Sequence, residues 1–228
     1  MSAQNKRQRI FIGLLCVPFL FAACNPALKG LKTAKADFEK QDYAALAATD
    51  ISCESSDKGC NQLHLIKGDA CFRLSKKGVD PAKHYACAVT HLETGIAQTR
   101  DWQMKDLNLN RAQTYENLLE SIRLLQDTKK GAAARQLTEK LVNTAQAFLR
   151  IEPGHLGGIY FLNSGAYTLL RSELLRQSNP QKLCVDLNRI LQSLKNNEPG
   201  TSGTKYAPNY ERLRLDVNAA KGTVTGCS

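Results

Sequence analysis

Between residues 132 and 151 the apolar positions fall on one side of a helix. Leu137, Leu141, Ala145 and Phe148 recur every three or four residues, with Glu139, Lys140, Asn143 and Arg150 off the stripe. The stripe stops at Glu152-Pro153-Gly154, where proline cannot continue a helix and glycine releases the backbone. A second helix is expected from near His155 to about Arg176, carrying Tyr160, Ser164, Tyr167 and Leu170, with small Gly165 and Ala166 letting a neighbour approach. Asn179-Pro180 reads as a start signal for a third, with Leu183, Leu187, Leu191 and Leu194, ending at Asn197-Glu198-Pro199-Gly200. The same pattern predicts helices over Leu28 to Gln41, Asp42 to Asp50, Ala82 to Gln98 behind a first-turn Pro81, Met104 to Gln126, and about Pro208 to Ala220. Asn196 to Pro208 reads as a loop, and Trp102 as part of a turn.

Composition sharpens the fold class. The chain of 228 residues holds 31 Leu and 25 Ala against 7 Val and 9 Ile, a ratio that favours helix and disfavours sheet. The expectation is an all-α protein, which argues against most nucleotide-binding α/β architectures. The alternation of helix, Pro-Gly stop and helix pair occurs twice, with Pro153 and Pro199 46 residues apart, and suggests stacked helical hairpins. Phe148-Leu149-Arg150-Ile151-Glu152-Pro153 and Tyr160-Phe161-Leu162-Asn163-Ser164-Gly165-Ala166-Tyr167 resemble the end of the second helix and the first helix of a tetratricopeptide repeat. A fainter echo lies at Lys67-Gly68-Asp69-Ala70-Cys71-Phe72-Arg73-Leu74, followed by Ala88, Leu92 and Gly95. The resemblance covers about residues 60 to 200 and implies a right-handed helical-hairpin solenoid. The spacing is longer than the roughly 34 residues of that repeat. An irregular helical bundle is the other all-α arrangement open to the chain.

The first residues read as an address. Lys6, Arg7 and Arg9 precede an apolar run from Ile10 to Ala23, shorter than a comfortable membrane span. The run ends in Leu20-Phe21-Ala22-Ala23-Cys24, which resembles the lipobox of bacterial lipoproteins, with Phe21 where that family usually has Leu. The resemblance implies cleavage before Cys24, lipid on its thiol and its new amine, and, with Asn25 rather than Asp next, an outer-membrane anchor facing the periplasm. The expected division is a signal over 1–23, anchor-proximal helices and loop over 24–58, and a helical-repeat domain over 59–228. Of eight cysteines, Cys16 leaves with the signal and Cys24 takes lipid. Cys53, Cys60, Cys71, Cys87, Cys184 and Cys227 remain, an even set that can pair completely in an oxidising compartment. Short loop closure favours Cys53–Cys60, Cys71–Cys87 and Cys184–Cys227. Removing the signal lowers the net charge from +10 to +7. The remaining charges are scattered, as on a solvated surface, and export argues against nucleic acid as a partner.

Candidate chemistry is sparse. His84, Cys87 and His91 can share one face of a helix, and His plus Cys is metal-ligand vocabulary. Cys87 is needed for the disulfide count, however, and His64 reaches that face only if the fold happens to bring it there, so no metal is expected. There is no Gly-x-Ser-x-Gly or His-Glu-x-x-His motif. Gly154, Gly157 and Gly158 read as a tight interhelical turn, and Glu116 and Glu120 as an exposed acidic pair serving solubility. No catalytic set and no cofactor are expected. The leading reading is a lipoprotein scaffold for other envelope proteins, joined to the membrane through its N-terminal lipid. An open groove along the first helices of successive hairpins would serve it. An enclosed apolar cavity lined by Tyr160, Phe161 and Tyr167 would instead suit a ligand-binding accessory of a transport system. Tyr160 and Tyr167 lie two turns apart on one face and are candidates for partner contact, although aromatic residues at helical spacing usually pack in the core. Between and beyond them Asn163 and Arg171 are expected to be exposed and to contact the partner, together with the helix near Lys67.

Overall fold

Most connections between helices are short and carry a residue that caps or breaks a helix. The computed structural model describes residues 26–54 and 56–227. The expected signal, and Cys24 with the run that resembles a lipobox, lie outside those residues. The described residues form ten α-helices and no strand: α1 Pro26–Glu39, α2 Tyr43–Ala48, α3 Cys60–Lys76, α4 Pro81–Gln98, α5 Asp101–Lys105, α6 Arg111–Asp127, α7 Gly131–Ile151, α8 Leu156–Arg176, α9 Pro180–Asn197 and α10 Ala207–Gly222. Asp42, Asn110 and Asn179 cap α2, α6 and α9, each side-chain oxygen accepting from the third backbone N–H onward. Among the described residues no helix is long and apolar enough to cross a membrane.

One predicted helix is broken in two. Met104 to Gln126 was expected to be continuous, but α5 ends at Lys105 and α6 starts at Arg111. Leu107 and Leu109 are both buried, and side chains two positions apart point to opposite sides of a helix. The chain therefore turns, with Asn108 in the left-handed region at φ 54° and Asn110 starting the next helix. Trp102 sits in α5, not in a turn, and is exposed. At the other predicted loop, α9 runs on to Asn197 and passes into a 3-10 turn over Glu198–Thr201.

Helices pack as successive pairs, α3 with α4, α6 with α7 and α8 with α9, while α4 lies on α6, α7 on α8 and α10 on α9. The α3–α4 crossing is close because two glycines face each other's partner helix. A Cβ on Gly68 would lie 2.7 Å from the Leu92 backbone nitrogen, and one on Gly95 would lie 2.9 Å from that of Leu65. The apolar side chains form two cores. The larger joins α1 through α7 with Phe161 of α8, around fully buried Leu65, Leu92, Leu119 and Phe148. The smaller lies among α8, α9 and α10, around Leu183, Leu187, Tyr210 and Val217. Tyr160 packs against both. Cys53 and Cys60, Cys71 and Cys87, and Cys184 and Cys227 stand at disulfide distance. The first two pairs fasten the larger core and the third ties the C-terminal tail to α9.

Candidate functional site

The turn between α7 and α8 sets the site. Proline and glycine end α7, and His155 starts α8 by accepting from the Gly158 backbone N–H at 3.3 Å. The His155 ring lies against Phe148, centroids 4.6 Å apart, and Phe148 stacks on Tyr115 of α6 at 4.8 Å. Three helices are thereby fixed at one end. Gly157 comes next, and any side chain there would collide with the Tyr206 hydroxyl and with Glu116. Gly157 and Gly158 are thus packing positions inside the first turn of α8.

Glu116 is the hub of that contact. It was expected on an exposed face but is 8% exposed. The Tyr206 hydroxyl donates to its Oε1, Lys205 Nζ donates to its Oε2 at 2.6 Å, and His155 Nε2 lies 3.5 Å from Oε1. Burial, and then the hydrogen bond to Glu116, push the Tyr206 phenol far above its ordinary range, so it stays a donor. Glu120, one turn on, accepts from Lys76 of α3 at 2.8 Å. The pair therefore joins α6 to other elements, Glu116 buried and Glu120 partly exposed. Two further tyrosines fasten α10 to α8: Tyr210 donates to the Leu156 carbonyl at 2.9 Å and Tyr167 to the Asp216 carbonyl at 3.2 Å. Burial raises the Tyr167 phenol, with the Asp216 charge adding to it and Arg171 opposing.

Between these fastenings α6, α8 and α10 leave a cleft. One end, about 310 Å³, is lined by Lys76, Glu116, Glu120, Lys205 and Phe161 among others. The other, about 440 Å³, is lined by Tyr167, Thr168, Arg171, Arg212 and Asp216 among others. Arg123, Tyr160 and Asn209 border both, so the two ends adjoin. Tyr160, Tyr167 and Arg171 are brought together here.

Asn163 is not part of the cleft. It was expected to be exposed, yet it is buried and donates to the Ile159 carbonyl at 2.8 Å and to Ser193 Oγ of α9 at 2.9 Å. At about 100° per residue it sits roughly 95° round the helix from the middle of the cleft-lining positions, toward α9. Lys67 is absent too: its Nζ donates to the Thr49 carbonyl at 2.6 Å, and α3 contributes Lys76 instead. Arg123, Lys205, Tyr206, Asn209 and Arg212 were not anticipated. Arg171 carried a signal, having no acidic residue three or four positions to either side. The convergence of Arg123 and Arg212 on it depends on how three helices pack.

The His84, Cys87 and His91 face of α4 does not gather around a common point. Cys87 stands at disulfide distance from Cys71, and His91 turns to His64 of α3, Nδ1 to Nδ1 2.8 Å. Among the described residues no group of three or more His, Cys, Asp or Glu is placed to hold a metal ion. Compared with models of protein families, with curated proteins and with solved structures, the chain has no match.

Proposed function

We propose that the protein is a lipid-anchored lipoprotein of the bacterial envelope, held at the outer membrane through Cys24 and facing the periplasm. It acts as a scaffold that holds another envelope protein during assembly or stabilisation of a complex, on a right-handed, tetratricopeptide-like stack of helical hairpins. The observation that carries this reading is the cleft. It runs along α6, α8 and α10 as two adjoining hollows, with Tyr160, Tyr167 and three arginines of three different helices lining one of them. Tyrosine and arginine dominate the energetically important positions of protein interfaces. The transport-accessory reading called for an enclosed apolar cavity around Tyr160, Phe161 and Tyr167. The charged lining of the cleft supports the scaffold instead.

Two measurements test it. Cys24→Ala is expected to block lipoprotein-type processing and to release the protein from the membrane fraction. Normal processing with retained membrane association contradicts the anchor. Affinity capture of the lipidated protein from its own envelope, followed by mass spectrometry, is expected to return a defined set of envelope proteins. A co-purifying small molecule without protein partners contradicts the scaffold.

A further inference from the structure

The cleft is not electrically uniform along its length. At the end bordered by α3 the carboxylates are matched: Lys76 with Glu120 and Lys205 with Glu116. At the other end the balance fails. Arg123 lies 3.3 Å from Asp127 on its own helix, while Arg171 and Arg212 have no ion pair among the described residues. Both are exposed, and Asp216, one turn beyond Arg212, is the acidic side chain lining this end. Two unpaired guanidinium groups, from α8 and α10, thus face one carboxylate, with Arg123 of α6 beside them on Asp127. The walls that carry Arg171 and Arg212 are fixed to each other, since Tyr167 and Tyr210 hydrogen-bond α8 to α10. The site does not have to be assembled when a ligand arrives, which lowers the entropic cost of binding.

We infer that this end of the cleft binds an acidic peptide segment, its carboxylates meeting Arg171 and Arg212 with Arg123 beside them. The inference rests on the scaffold reading and names the chemistry of the partner. The guanidinium fork matches a carboxylate with two parallel hydrogen bonds, a geometry a lysine ammonium cannot supply. A compact anion such as free phosphate would engage the arginine end alone. Across Arg123, Tyr160 and Asn209 that end adjoins the Lys76 and Lys205 end, and two hollows side by side suit a chain with groups spaced along it. An acyl chain has little to bind here, since Leu213 is the one aliphatic side chain lining the arginine end. Ser164, Thr168 and Asn209 supply neutral hydrogen-bonding groups that suit a peptide backbone.

The test uses the full-length lipidated protein in detergent and fluorescein-labelled octaglutamate as the probe, read by anisotropy. Octaglutamate is expected to bind, more weakly as salt rises. Arg171→Glu and Arg212→Glu are each expected to weaken binding at least tenfold, with helical content and Tm close to the parent. Arg189→Glu, a charge reversal at an exposed position of α9 away from the cleft, should change it less than twofold. Labelled octaglutamine should not bind. If Arg171→Glu unfolds the protein, Arg171→Gln and Arg212→Gln, which remove charge without reversing it, carry the same expectation. Octaglutamate binding equally to the parent and to the Arg171→Glu/Arg212→Glu double variant overturns the inference. So does displacement of the probe by equimolar inorganic pyrophosphate, which would mark a phosphate site, or binding only to vesicles containing phosphatidylglycerol, which would mark a lipid site. The scaffold reading fails separately. A parent that captures an envelope protein, and a double variant that captures it equally well, leave the scaffold standing and remove the acidic-segment inference. Octaglutamate binding through Arg171 and Arg212 with no protein captured does the reverse.

Discussion

The helices up to α7 and those from α8 onward are both built of paired amphipathic helices, yet they dispose of their polar groups differently. In the first region buried polar side chains are consumed by one another. Asp69 accepts from Arg73 at 2.5 Å and from Asn117 at 3.2 Å, and Asn117 accepts from Gln113 at 2.9 Å. Arg73 also lies over the Tyr43 ring at 5.2 Å. These contacts join α2, α3 and α6. In the second region the helices stand apart along one side, the core is smaller, and among the described residues Arg171 and Arg212 have no carboxylate within ion-pair distance, Asp216 being the acidic side chain that shares their end of the cleft. A side chain committed to an internal partner holds the fold together. A guanidinium that the fold leaves unmatched on a fixed wall has its hydrogen-bonding capacity available for something else.

The joint between the regions is where the largest effect is expected. Phe148 is fully buried, with Tyr115 on one face and His155 close by. Phe148→Ala should cost about 3–5 kcal/mol through lost burial and the cavity left behind. For a chain of this size that lowers Tm by about 10 °C, measurable by circular dichroism. A loss below about 1 kcal/mol, within the ordinary range for surface changes, would mean that the aromatic stack does not bear on the joint.

The disulfides separate the regions next. Cys184 and Cys227 close a loop of 43 residues, whereas Cys53 and Cys60 are only 7 apart. On the loop-entropy account, removing the long bridge costs about 4 kcal/mol and the short one about 2 kcal/mol. The Cys184→Ser/Cys227→Ser variant should therefore lose more stability than Cys53→Ser/Cys60→Ser, and should lose octaglutamate binding as α10 loosens. The opposite order of stabilities would show that the C-terminal region is held by its core and not by its bridge.

A smaller effect belongs to the polar hub. Tyr206→Phe leaves Glu116 buried with one donor fewer, which should cost about 1–3 kcal/mol. Because the hub faces the cleft, the same variant should alter octaglutamate affinity, while Asn117→Ala, in the other region, should destabilise without doing so. Equal effects of the two variants on binding would erase the distinction between the regions.

Much of the fold could be read from the sequence, for identifiable reasons. Stripes such as Leu183, Leu187 and Leu194 place a helix because one face must be buried. Pro153, Asn179 and Pro180 mark ends because they act locally. The break after Lys105 was hidden because Leu107 and Leu109 look helical until both must be buried. At the site, Tyr160, Tyr167 and Arg171 followed from the periodicity of one helix. Asn163 was misassigned because the position of α9 decides which side of α8 is covered. Glu116 was misassigned because its donors, Lys205 and Tyr206, lie 89 and 90 residues away. Local pattern identifies what a helix offers, and packing across long separations decides what remains available.

The smallest effect lies in the first region and concerns pH. His64 and His91 face each other from α3 and α4 with Nδ1 atoms 2.8 Å apart, a contact that one neutral ring can make by donating to the other. Burial, then the charge of Lys67, then His64 bring His91 down to about 4, and burial followed by Lys67 lowers His64. A histidine whose folded value lies below its unfolded one binds protons better when the chain is unfolded. The stability it contributes is complete above about 6.5 and is lost as the pH falls toward about 4. Both rings are partly open to solvent, which screens their interactions, so the loss is about 1 kcal/mol, or about 3 °C in Tm. Carboxylates also titrate toward the lower end of that window, so the measurement is the difference between the parent and His91→Gln. The parent should lose more Tm between pH 6.5 and 4.5 than the variant, because glutamine occupies the position without taking a proton. The effect should leave octaglutamate binding at neutral pH untouched, since neither histidine lines the cleft. Parallel curves for the two proteins would mean that the imidazoles titrate alike in both states, and that this region, too, leaves polar groups unspent.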